Sequence, residues 1–163
     1  MAISANLERL NYDSADGCIA TGQHIEVIQS QGATRTLLPE ESGALCVFDR
    51  AAGIVFTLPA PVEGMQFDFV VKTSITSNAA KIITNAATVF LTGAVMIGSL
   101  TVAESGDVFA GDGTTHVAVS MDGATKGGLK GGRLRFTALS ATSWYVEGIA
   151  VGAGTLADPF ATS

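Results

Sequence analysis

Charge is scarce in this chain of 163 residues: 9 Lys and Arg stand against 15 Asp and Glu, with 2 His and 2 Cys. Each shortage closes a route. A net charge of −6 repels a phosphate backbone, so nucleic acid is not an expected partner. Cys18 and Cys46 have neither CxxC spacing nor a neighbouring histidine, so they read as two free, half-buried thiols, with no zinc site, redox motif or other cofactor implied. Nucleophilic hydrolysis needs a serine or cysteine beside a histidine base, yet only His24 and His116 are present and no GxSxG occurs. Sustained 3.6-residue apolar periodicity is missing too. Only ANLERL near the start reads as a helical turn or two, capped by Ser4. The opening MAISANLERLNYD lacks the basic and apolar regions of a secretory signal, which points to synthesis in a cytoplasm.

What is present is apolar and turn-rich. Hydrophobic residues at 47% against 15% charged exclude compositional disorder, and 19 glycines call for many turns. The length suits a single domain. In Gln66 to Lys72, Phe67, Phe69 and Val71 share one face while Gln66, Asp68 and Lys72 share the other, the period of a half-buried strand. RLRFTA, from Arg133, and SWYVEGIAV, from Ser143, read as a hairpin, with at least one of the Trp144 and Tyr145 rings in the core. HIEVI, ALCVFD, GIVFTL, KIIT, TVFL, DVFA and THVAVSM add further strands between Gly, Asp, Asn and Pro connections. The uncharged stretch Ala86 to Ala103 has the length of a membrane helix, but its Thr, Ser and Gly interruptions and its unflanked ends favour two successive buried strands, so no membrane is expected. About ten short strands without a helix predict an all-β protein, a jelly-roll-like sandwich or a barrel. No repeat of fixed period is visible.

Three regions follow: an N-terminal arm over 1–23, a β-sandwich over 24–151 and a tail over 152–163. The tail opens on glycine but carries Leu156, Pro159 and Phe160, which need a surface to rest on. That surface is either a neighbouring subunit or the chain's own domain.

Candidate chemistry is thin. Asp107, Asp112 and Asp122 sit in GD and DG turns rather than in the D-x-D-x-D spacing of a calcium loop. Fifteen acids make some carboxylate pair at glycosidase distance inevitable and therefore uninformative. DGATKGGLKGG fails as a phosphate loop because Gly127, not Ser or Thr, follows Lys126; it reads as a flexible connection. His116 lies opposite Val117, Val119 and Met121 in register and is expected to face solvent or a partner. The same region gathers Lys126, Lys130, Arg133 and Arg135, four of the nine basic residues, on a loop and the outward face of a strand. Such a patch is either a solvated basic face or a contact for the carboxylates of a neighbouring subunit or shell.

The order GIVFTLPAPVEGMQFDFVV, KIIT, GDGTTHVAVS and SWYVEG, closed by GTLADPFATS, resembles capsid decoration (cement) proteins of tailed phages and some tail-fibre modules, over roughly Ala44 to Ser163. The resemblance implies a jelly-roll-like protomer, commonly a homotrimer, that sits on the outer shell of the virion and clamps the major capsid protein. It carries over no catalytic residues. The alternative is a tail-fibre or carbohydrate-binding β module, which would favour exposed aromatics.

Overall fold

Glycine and aspartate cut the chain into short extended runs, and these runs pair into two facing sheets. The computed structural model describes residues 12–13, 17–18, 25–29, 32–101 and 106–163. The expected arm over 1–23, the Ser4 cap and His24 lie outside the described residues apart from two short pieces. Those are β1 (Tyr12–Asp13) and β2 (Gly17–Cys18), which pair antiparallel with each other.

The sandwich is built from β3 (Val27–Gln29), β4 (Thr34–Thr36), β5 (Leu45–Phe48), β6 (Val55–Thr57), β7 (Gln66–Val71), β8 (Ala80–Ile83) and β9 (Phe90–Ser99). It continues through β10 (Asp107–Asp112), β11 (Ala118–Met121), β12 (Arg133–Ser140), β13 (Ser143–Gly152) and β14 (Phe160–Ala161). A 7-stranded sheet has the order β10-β9-β13-β12-β7-β5-β3, and a 5-stranded sheet the order β14-β11-β8-β6-β4. The chain is therefore all-β and sandwich-like, as its alternating runs predict.

The connectivity could not be read from those runs. From β3 to β8 the chain crosses from one sheet to the other at every strand, so that β3, β5 and β7 are parallel neighbours on one side and β4, β6 and β8 on the other. This coiling differs from the wholly antiparallel Greek keys of a jelly roll. Its turns are unequal, with strand starts at Val27, Leu45 and Gln66 in one sheet and at Thr34, Val55 and Ala80 in the other, which is why no fixed period shows in the sequence. The β12–β13 hairpin then inserts between β7 and β9, antiparallel to β7 and parallel to β9.

Inward alternation fills the space between the sheets. Phe48, Phe56, Phe67, Phe69, Phe136 and Trp144 are fully buried. Edge-to-face contacts link Phe48 to Phe56 at 5.1 Å, Phe56 to Phe69 at 5.5 Å and Phe69 to Phe136 at 5.4 Å, so one aromatic chain ties the small sheet to the large one. Of the adjacent rings at 144 and 145, Trp144 is core and Tyr145 is exposed.

Two expectations need correction. Ala86 to Ala103 supplies one ten-residue strand, β9, rather than two, and only its Leu91, Val95 and Ile97 face is buried. The uncharged run hid an exposed face. No helix among the described residues is long and apolar enough to cross a membrane. The region 152–163 is not a separate tail either: Gly152 ends β13, and β14 forms the edge of the small sheet by pairing with β11.

Candidate interaction surface

The outward face of the large sheet carries the two arginines that the sequence singles out. Strand alternation turns Leu134, Phe136 and Ala138 into the core and leaves Arg133 and Arg135 outside. Asp68 lies directly across from Arg135 on β7, and Glu147 directly across on β13. Arg135 donates through Nε and a terminal nitrogen to Asp68 Oδ1 and Oδ2 at 3.0 and 3.1 Å, a bidentate pair. Arg133 adds a single contact to Oδ2 at 3.1 Å. Burial pushes the Asp68 carboxyl up, but the hydrogen bonds from Arg135 and Arg133 outweigh it and hold the group below its usual range. Asp68 is thus a charged acceptor already occupied by two guanidiniums, poorly suited to act as a general acid or base.

Above these charges lies an open depression of about 550 Å³, lined by Asp68, Arg133, Arg135, Glu147 and Ile149 with Gly131 and Gly148. Gly148 keeps its floor low. A Cβ there would stand 2.3 Å from the Arg133 carbonyl oxygen, and its φ of 142° suits glycine alone. Beside the charges, cross-strand register aligns Ile149, Met96 and Val108 on the same face of β13, β9 and β10. Their exposures of 50%, 41% and 67% form an apolar row in solvent.

The other two basic candidates do not join this cluster. Both lie in the loop between β11 and β12, where the backbone N–H of Lys126 donates to Asp122 Oδ1 and that of Lys130 to Ser74 Oγ in the segment after β7, each at 2.9 Å. That loop was expected to be mobile. Instead Gly131 and Leu129 donate to Val71 and Val151, while Gly128 accepts from Ile75, so it is bonded to β7, β13 and the segment after β7. Its glycines serve close approach: a Cβ on Gly123 would meet the Ile75 carbonyl oxygen at 2.0 Å.

Leu156, Pro159 and Phe160 are buried against their own domain, so the tail docks in cis and these side chains offer a neighbour little surface. Phe160 stacks on His116 at 5.4 Å, and the Pro159 carbonyl accepts the Ser120 N–H. His116, expected to face solvent or a partner, is mostly covered, and its Nδ1 accepts the Asp112 N–H at 3.2 Å. Asp112 in turn accepts the Thr115 hydroxyl and the N–H groups of Thr114, Thr115 and His116, with the hydroxyl bond the largest cause of a carboxyl held well below the usual range. Asp122 caps its own turn in the same way through Ala124, Thr125 and Lys126. Among the described residues no three His, Cys, Asp or Glu side chains converge on a point where a metal could sit.

The sequence reading missed two parts of this surface. The Ile149–Met96–Val108 row was hidden because β9 was taken as buried on both faces. The turn Val62–Met65, closed by the Met65 N–H on the Val62 carbonyl at 3.0 Å, holds Gly64 at a φ of 88° and exposes both Val62 and Glu63. Its signal was present as Pro59 and Pro61 ahead of Val62-Glu63-Gly64. Comparison with protein families, curated proteins and solved structures finds no match to this chain.

Proposed function

We propose that this chain is a structural virion protein that acts by binding rather than by catalysis, decorating and stabilising a phage capsid as a homotrimer on the outer shell. The observation that carries this reading is the outward face of the large sheet, where an apolar row abuts the arginine–carboxylate cluster. Such a face gains from being covered, because apolar burial supplies affinity and the paired charges fix orientation. Acidic balance keeps the free subunit soluble, and repeated weak contacts to one lattice add through effective concentration. The major capsid protein is the proposed partner, and the capsid surface, reached after synthesis in the host cytoplasm, the proposed location.

A tail-fibre or carbohydrate-binding role is the alternative. Tyr145, 37% exposed on this same face one register row from Glu147, is the observation in its favour. Purified protein mixed with shells lacking it separates the two. The decoration reading predicts saturable co-sedimentation with the shells that weakens when Met96 and Val108, exposed on the row but outside the depression, are both changed to Ser. Absence of shell binding, with retention on a glycan surface that Tyr145→Ala abolishes, would support the alternative.

A further inference from the structure

The Val62–Glu63 turn and the arginine depression are complementary to each other and too far apart to meet within one chain. Glu63 is exposed and has no ion-pair partner among the described residues, and Val62 beside it is 60% exposed. Buried Pro59 and Pro61 stiffen the approach, and the Gly64 N–H on the Ala138 carbonyl at 3.0 Å anchors the exit. The result is a rigid knob with one apolar and one anionic side chain. The depression, where Asp68 and Glu147 balance Arg133 and Arg135, offers the converse at its Arg133 and Ile149 end. Arg133 spends one contact on Asp68 while its side chain remains 57% exposed, and Ile149 lies directly across from it in register. The remaining guanidinium N–H groups of Arg133 match a carboxylate, and Ile149 matches a valine.

Register sets the separation. The knob leads into β7 at Gln66, which pairs with Thr137, whereas Arg133 pairs with Val70. Four residues of strand span about 14 Å, beyond the reach of a glutamate side chain.

We infer that the knob of one copy docks in the depression of the next, Glu63 on Arg133 and Val62 on Ile149. Two different patches make this contact head-to-tail, and a head-to-tail contact yields a ring when its rotation closes. It rests on the proposed homotrimer and names the interface that builds it.

Light scattering at tens of micromolar tests the inference. Wild type should show three times the chain mass, Glu63→Arg and Arg133→Glu each the mass of one chain, and the double variant E63R/R133E the trimer mass again. Val62→Ser, which changes no charge, should raise the dissociation constant about tenfold or more with an unchanged circular dichroism spectrum. Trimers that survive both E63R and V62S, or a double variant that stays monomeric while folded, would overturn this interface and leave a trimer held by other contacts. A monomeric wild type would overturn the interface and the trimer together, while shell binding remains separately measurable by co-sedimentation.

Discussion

Asp68 shows how one side chain can be tied to both fold and surface. Its folded carboxyl is held below the ordinary range, so the stabilisation from its two arginines is full above the unfolded value near pH 4 and is lost as pH falls through the folded value. Asp68→Asn should therefore cost about 1 kcal/mol at pH 7, given the exposure of both arginines, and the difference from wild type should shrink as the pH is taken below the unfolded value near 4. Paired denaturant titrations at neutral pH and below that value check this. Cys46 behaves oppositely. Burial, then the nearby charge of Glu41, pushes its thiol up to about 12, so the sulfur should resist alkylation in the native protein and react on unfolding, as peptide mapping would show. Trp144 is fully buried, and its Nε1 has no hydrogen-bond partner among the described residues. Trp144→Phe removes that orphan donor along with some volume and should stay within about 1 kcal/mol of wild type, whereas Trp144→Ala should cost about 3–5 kcal/mol, both read from unfolding midpoints.

At the scale of elements, the last strand is part of the core. Phe160 and Leu156 are nearly covered, and each such side chain contributes roughly 1.5–3 kcal/mol on burial. Removing 153–163 should therefore lower the unfolding temperature by several degrees or more in a thermal scan, an effect that a tail docked on a neighbour would show only through assembly. Strands with strict alternation, such as Gln66–Val71 and Arg133–Ser140, were legible because one face is polar and the other is not. β9 was not, because its outward Thr92, Ala94, Met96 and Gly98 carry no charge to mark them as exposed. β4 and β14 are too short for any periodicity to register. Arg133 and Arg135 could be placed on one outward face from sequence, but their shared Asp68 lies 65 and 67 residues away in the chain and depends on β12 pairing with β7. The Val62–Glu63 turn is marked in sequence by Pro59, Pro61 and Gly64, but the exposure of its two side chains is not, since exposure is a property of the packed molecule.

At the scale of the whole molecule, the buried aromatic core and the docked last strand leave, among the described residues, the outward face of the large sheet and the Val62–Glu63 knob as the proposed binding surfaces. Gold-labelled antibody against this chain on purified particles tests the proposed position on the virion. Label distributed over the head is the expected result. Label confined to the tail or its tip, or particles left unlabelled, would contradict it.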